Sequence, residues 1–126
     1  MNIQPTYVTF KQAVWLKEKG FDVEVGAYYH TDKSIRTISD GWLNEVCSAP
    51  EHWQVVDWLF QKYRFSVEVH LDIPESGKHD GCYVFYGVVK SDKEYKLNIF
   101  YKTDMYYPTR EKAYSAAFDY VLNNLI

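Results

Sequence analysis

The stretch HWQVVDWLFQKYRFSVEVHLDI, residues 52–73, decides the fold because the spacing of its apolar residues changes within it. As far as Tyr63 the apolar residues recur every three or four positions, which is the spacing of one helix face. From Phe65 they alternate with polar residues, which is typical of an antiparallel sheet with one buried face. The sequence therefore predicts a helix followed at once by a strand.

The two faces of this helix and strand can be assigned from the same spacing. The predicted buried stripe of the helix comprises Trp53, Val56, Leu59, Phe60 and Tyr63, and its predicted wet face comprises Glu51, Gln54, Asp57, Gln61 and Lys62. On the strand, the predicted inward residues are Phe65, Val67, Val69, Leu71 and Ile73, and the outward ones are Ser66, Glu68, His70 and Asp72.

Capping residues predict where the three helices begin. Thr9 with Gln12, and Ser48 with Glu51, have the spacing of a capping box, in which each side chain bonds the other residue's free amide. Thr109 predicts the start of a last helix. Gly20 predicts the end of the first, at residue 19. The predicted core stripe of the last helix is Tyr114, Ala117, Phe118, Val121, Leu122 and Leu125.

The segments between the helices predict hairpins. FDVEVGAYYH, residues 21–30, alternates apolar with acidic residues, and IRTIS, residues 35–39, follows a turn-forming TDKS. Residues 40–49 are expected to be a loop, with a short strand at 42–46 as the alternative. Later in the chain, residues 82–89 and 94–102 flank KSD and predict a second hairpin.

The resulting fold class is α+β, with three helices packed on one side of a mainly antiparallel sheet in the order α-β-β-α-β-β-β-α. Residues 1–126 are the size of one domain, and the chain has a formal net charge of -3. Cys47 and Cys82 lack zinc-ligand spacing, and no apolar run is long enough to cross a bilayer. We therefore expect two free thiols, a reducing cytosol and no membrane.

Four segments resemble a family of small uncharacterised proteins of Bacteroidetes and of bacteriophages and prophages of gut bacteria. They are TFKQAVWLKEKGFD at 9–22, SAPEHWQVVDWLFQKYRFSVEVH at 48–70, the aromatic strands, and REKAYSAAFDYVLNNLI at 110–126. The resemblance implies a phage or mobile-element product in a bacterial cytoplasm. It implies no activity, cofactor or catalytic residue, and does not extend to residues 22–46 or 73–81.

Two groups of residues suggest chemistry. His70, Asp72, Glu75, His79 and Asp80 could converge on a metal ion or serve in acid-base catalysis, but a solvated strand face followed by a polar loop has the same composition. Cys47 precedes His52 at a helix start, where a thiolate is favoured. Without an orienting third residue, we expect Cys47 and Cys82 to be small packed side chains. Glycine-rich phosphate loops are absent, so no cofactor is predicted.

Nucleic-acid binding is the alternative function. Residues 51–125 have the helix, three strands, helix order that resembles a double-stranded RNA-binding domain, but Glu111 lies between Arg110 and Lys112, where that domain has clustered lysines. A second route is the outward face of the last strand, where Phe100 between Lys96 and Lys102 could stack on a base.

The aromatic residues favour a protein partner. Twenty-three of the 126 residues are aromatic, more than one small core can absorb. The expected surplus comprises Tyr28, Tyr29, Trp42, Tyr83 or Tyr86, Phe100, Tyr106 and Tyr107. We predict a non-enzymatic cytosolic accessory protein that binds a protein or itself, through Tyr106, Tyr107 and Arg110, with Phe100, Lys96 and Lys102 as further contacts.

Overall fold

The computed structural model describes residues 4–37, 45–72, 82–91, 97–101 and 105–126, which contain three helices and six strands. The helices are α1 (Phe10–Glu18), α2 (His52–Tyr63) and α3 (Arg110–Asn124). The strands are β1 (Tyr28–His30), β2 (Ile35–Arg36), β3 (Glu45–Ser48), β4 (Phe65–Asp72), β5 (Cys82–Ser91) and β6 (Leu97–Tyr101). The α+β class and the predicted antiparallel pairing are confirmed, and no helix in these ranges is long and apolar enough to cross a membrane.

The strands form two antiparallel sheets rather than the single sheet predicted. One has the order β2-β1-β3 and the other the order β4-β5-β6. Residues 40–49 were expected to be a loop, with a strand at 42–46 as the alternative, but strand β3 covers residues 45–48. This strand pairs with β1, where Tyr29 lies opposite Cys47. The N-terminal hairpin is thereby extended to a three-stranded sheet.

The strand predicted from Phe21 is also wrong, because β1 begins only at Tyr28. In the described part of the chain residues 21–27 form no strand, and only the Ala27 carbonyl, which accepts from the Ala49 amide at 2.9 Å, extends the pairing of β1 with β3. Instead, the Gln54 side chain donates to the Glu24 carbonyl at 3.3 Å. The alternating sequence alone could not show that this backbone group is satisfied by a helix side chain.

Two of the three predicted helix starts are confirmed. The Thr9 hydroxyl accepts from the Gln12 amide at 3.2 Å while Gln12 Oε1 accepts from the Thr9 amide at 3.0 Å. Thr109 Oγ1 accepts from the Lys112 amide at 3.2 Å. The Ser48 cap is wrong, since α2 begins after Glu51, whose amide donates to Gln54 Oε1 at 2.9 Å. Gly20 follows α1 at a φ of +85°, as predicted for a left-handed helix end.

The buried face of α2 differs from the predicted stripe. Trp53 is 60% exposed and Phe60 is 40% exposed, whereas Gln54, predicted to face water, is buried. The residues that α2 buries are His52, Gln54, Val55, Trp58 and Leu59. The helix is therefore rotated relative to the prediction, because Val55 and Leu59 point to the core and both rings on the opposite side point outward.

The core lies between the helices and the two sheets. From α3 it takes Ala117, Phe118, Val121 and Leu122 as predicted, while Tyr114 and Leu125 are only half-buried. On β4, Phe65 and Val67 are buried but Leu71, predicted to face inward, is exposed. Both α2 and α3 pack against β4.

Candidate functional site

An open cavity of about 530 Å³ lies where α2 and α3 begin. Three short segments line it: the extended N-terminal segment, the start of α2 and the first two turns of α3. The lining residues are Gln4, Pro5, Thr6, Glu51, His52, Trp53, Arg110, Glu111 and Tyr114. The volume lies in the range of about 300–1,000 Å³ that is usual for sites of small ligands.

The N-terminal segment forms one wall of the cavity by pairing with the residues before α2. The Val8 amide donates to the Pro50 carbonyl at 3.0 Å, and the His52 amide donates to the Thr6 carbonyl at 2.9 Å. The second bond satisfies one of the amides that a helix start leaves without a partner. Tyr7 and Glu51 form an antiparallel bridge between these two bonds. The wall is thus fixed to the start of α2.

His52 is the buried polar residue of the cavity lining. Its side chain packs edge-on against Phe118, with ring centroids 5.4 Å apart, and lies 5.9 Å from the Tyr114 ring. The residue is 5% exposed, and both ring nitrogens are closed to solvent. Burial lowers the pKa of His52, and a hydrogen bond with the Tyr7 backbone and the charge of the Glu111 carboxylate oppose this shift only in part. His52 is therefore neutral at pH 7, with one nitrogen a donor and the other an acceptor.

Trp53 and Arg110 are the exposed large side chains of the lining. Trp53 follows the N-cap of α2 by two positions, and Arg110 is the first residue of α3. Trp53 was expected in the core. The sequence does contain a signal for the exposed position of Trp53, because α2 has apolar residues on both of its sides. If Val55 and Leu59 face the core, helical spacing places Trp53 and Phe60 together on the outer side.

Charges of both signs line the cavity and offset one another. Glu51 and Glu111 contribute carboxylates, and Arg110 contributes a guanidinium. Each helix start also acts as roughly half a positive charge. Each carboxylate lies beside one helix start, so the positive ends of both helices are already compensated within the protein.

The structure brings one of the predicted partner-binding residues to this cavity. Arg110 lines it, whereas Tyr106 and Tyr107 are not among the lining residues. Tyr106 is 39% exposed and Tyr107 is half-buried against the core. Lys96 and Lys102 lie outside the described residues, as does the side chain of Phe100.

One of the surplus aromatic residues belongs to the core after all. Tyr29 is buried, and its hydroxyl donates to the Val8 carbonyl at 2.6 Å. Tyr28, also in the predicted surplus, is half-buried. Trp42 and the side chains of Tyr83 and Tyr86 lie outside the described residues.

The thiol and metal candidates can be followed only in part. Cys47 is a buried cysteine outside any disulfide and packs in the core on β3, as expected of a small packed side chain. His70 is exposed, with Nε2 3.5 Å from Glu68 Oε2. Glu75, His79, Asp80 and the side chains of Asp72 and Cys82 lie outside the described residues. Within the residues that are described, no three His, Cys, Asp or Glu side chains are grouped for a metal ion.

Comparisons of the chain with protein-family models, curated proteins and solved structures give no match. The resemblance to phage and Bacteroidetes proteins therefore stays a prediction. What bears on function is the geometry of the cavity and its rim.

Proposed function

We propose that the protein is a non-enzymatic binding module that acts by contacting a protein partner or a second copy of itself. The observation that carries the proposal is the position of Trp53, which is 60% exposed at the rim of an open cavity. A large indole ring in water loses the free energy that its burial would supply. Contact with a partner would recover that free energy.

The neighbours of Trp53 support a protein partner. Arg110 also lines the cavity, and tryptophan and arginine are among the residues most enriched at the energetic centres of protein interfaces. The aromatic Tyr114 and the rigid Pro5 are further lining residues. A cavity flanked by two such anchors suits a projecting side chain of a partner.

We further propose that this partner is encountered in the cytoplasm of a bacterial host and that the protein belongs to a phage or other mobile element. The support is the resemblance of residues 9–22, 48–70 and 110–126 to proteins from those sources. Cys47 forms no disulfide, which is compatible with a reducing compartment.

The test compares Trp53→Ala/Arg110→Ala with Phe60→Ala, which removes an exposed ring elsewhere on α2. Tagged proteins are used to isolate partners from the bacterial host, each candidate partner is purified, and its Kd is measured directly. Light scattering in parallel gives the oligomeric state. We expect the double variant to weaken the association at least tenfold and Phe60→Ala to leave it unchanged. A monomer without a reconstituted partner, or equal effects of both variants, would contradict the proposal.

Binding of nucleic acid is the second candidate. It is favoured by the order α2-β4-β5-β6-α3 with an antiparallel sheet, the arrangement of elements that resembles a double-stranded RNA-binding domain. It is disfavoured by Glu111 in the first turn of α3. Salt-sensitive binding of a mixed-sequence RNA or DNA duplex that is lost in Lys96→Glu/Lys102→Glu would establish this function in place of the first.

A further inference from the structure

We propose that two copies of the chain pair through the outer edge of β4, so that the two β4 strands lie antiparallel about a two-fold axis at Val69. The inference goes beyond the proposed function, because it uses residues that do not line the cavity and assigns them to a second copy of the chain. Three properties of β4 carry it: its place at the edge of a sheet, its lack of the features that protect such edges, and a charge pattern that is complementary to itself.

β4 is an edge strand of the second sheet. It pairs over its whole length with β5, and among the described residues no other segment bonds its backbone between Ser66 and Val69. Along an antiparallel edge strand the amides and carbonyls point alternately toward the neighbouring strand and away from it. The groups that point away form a template for one more strand.

The features that usually protect an edge strand from pairing are missing from β4. Such strands are commonly very short, or they carry lysine, proline or a bulge. β4 is eight residues long and has neither a lysine nor a proline. The register irregularity after Glu68 places the extra residue, Tyr86, on β5, so β4 itself is regular. By contrast, β2 at an edge of the first sheet has two residues, one of which is Arg36.

The outward face of β4 has a charge pattern that fits a second copy. Glu68 and His70 are exposed side by side, with Oε2 of the carboxylate 3.5 Å from Nε2 of the imidazole. In an antiparallel pair with Val69 at the axis, Glu68 of each copy lies opposite His70 of the other. An imidazole N–H donates to a carboxylate whether the ring is neutral or protonated, so both of these cross-strand pairs favour association.

Charge and side-chain alternation together select this register. Opposite residues of an antiparallel pair point to the same face of the sheet, so the axis must pass through a residue and not between two. An axis at Glu68 would set two carboxylates opposite each other, and an axis at His70 would set two imidazoles opposite each other. Of the axes along β4, only the one at Val69 pairs each acid with a histidine.

The inward face supports the same register. Phe65 and Val67 are buried, whereas Leu71 is 55% exposed. The helices therefore cover the beginning of this face and leave its end open to water. With the axis at Val69, Leu71 of each copy lies opposite Val67 of the other. Contact between these side chains removes apolar surface from water, which favours association.

The test is the oligomeric state of the full chain, measured by sedimentation over a range of concentrations. We expect a dimer. His70→Glu places like charges in both cross-strand pairs and should raise the dimer Kd about tenfold. Glu68→Lys/His70→Glu restores opposite charges in the same register and should lower the Kd again to near that of the natural chain. Gln61→Glu, which adds a negative charge at an exposed position of α2, is the control and should leave the Kd unchanged.

Hydrogen exchange of the natural chain provides a measurement that needs no variant. Amides of β4 should exchange more slowly in the dimer than in the monomer, whereas those of β2 should not change. A monomer at every concentration, a dimer Kd that His70→Glu does not alter, or equal exchange of β4 in monomer and dimer would overturn the inference. Slower exchange of β4 only after addition of a different protein would also overturn it, because the edge would then belong to that protein.

The inference and the proposed function fail separately. Trp53→Ala/Arg110→Ala should leave this dimer unchanged, because neither residue lies on β4. If that double variant abolishes the dimer and His70→Glu does not, the inference is wrong and the proposed function stands. If His70→Glu weakens the dimer and no association depends on Trp53 or Arg110, the proposed function is wrong and the inference stands.

Discussion

Gln12, His30, His52 and Gln54 are the buried polar residues of the described part of the chain, and they differ in hydrogen bonding. The two glutamines are bonded to backbone or side chains of distant segments. No side chain bonds the buried ring nitrogens of the two histidines. At the residue scale, the glutamines therefore stabilise the fold, while burial makes protonation of His52 costly.

Gln12 should be among the most sensitive positions. Its Nε2 lies 2.8 Å from the Ser115 carbonyl, 3.0 Å from Ser115 Oγ and 2.9 Å from Asp119 Oδ1, so its two protons are shared among three acceptors on α3. We expect Gln12→Ala to lower the free energy of unfolding by about 2–3 kcal/mol, because it leaves these groups without their donor. Urea denaturation measures the change. Gln61→Ala, at an exposed position on α2, is the control and should have an effect within about 0.5 kcal/mol.

His52 should make stability fall at acidic pH. Because burial holds its folded pKa below the ordinary value of 6.5, the unfolded chain binds more protons between the two values. The free energy of unfolding should therefore decrease as the pH drops below about 6.5 and stay level for this residue above it.

The measurement is the urea midpoint at pH 7.5 and pH 5.0. The decrease should be smaller in His52→Phe than in the natural chain. Gln61→Ala, at an exposed position without a titratable side chain, should leave the decrease unchanged. An identical pH dependence in His52→Phe would show that protonation of this residue is not coupled to folding.

At the element scale, the features that depend on neighbouring residues were predictable and those that depend on distant ones were not. The Thr9 and Thr109 caps and the left-handed Gly20 are local and are confirmed. The prediction of the buried face of α2 was wrong because apolar residues spaced three or four apart form two overlapping stripes on this helix. Only the contacts with the core decide which stripe is buried. The strand predicted at Phe21 failed because pairing requires a partner strand.

Gly20 gives a prediction about the end of α1. At its φ of +85° a side chain is strained, and a Cβ there would come within 3.2 Å of Lys62 Nζ. We expect Gly20→Ala to lower the free energy of unfolding by about 1 kcal/mol. Gly26→Ala is the matched control, because a Cβ at Gly26 would have no atom within 4 Å and its φ is outside the strained region. Denaturant titration of both variants tests this, and equal effects would contradict it.

At the scale of the whole molecule, α1 and α3 join the two sheets into one core. α1 packs on β3 of the first sheet and on α3, and α3 packs on β4 and β5 of the second. The composition of the core was largely predictable from the apolar stripe of α3. The cavity was not, since its lining comes from distant segments and only Arg110 among its residues was predicted to bind a partner.

A shared core predicts a single unfolding transition. Phe118 is fully buried on α3 within this core, and we expect Phe118→Ala to lower the free energy of unfolding by about 3–5 kcal/mol. The transition followed by circular dichroism should shift together with that followed by labelling of Cys47 on β3, quantified by mass spectrometry. Phe60→Ala, which is partly exposed, should shift both much less. Labelling of Cys47 that stays unchanged in Phe118→Ala would show that the first sheet unfolds independently.

The pairing of the N-terminal segment with the start of α2 also bears on how the protein is made. Pro5 and Thr6 are synthesised well before Arg110, Glu111 and Tyr114. The wall and the start of α2 can assemble on the nascent chain, but the side of the cavity that α3 supplies exists only once α3 has left the exit tunnel. A partner that needs both sides would therefore recognise chains in which α3 has folded and pass over shorter nascent chains.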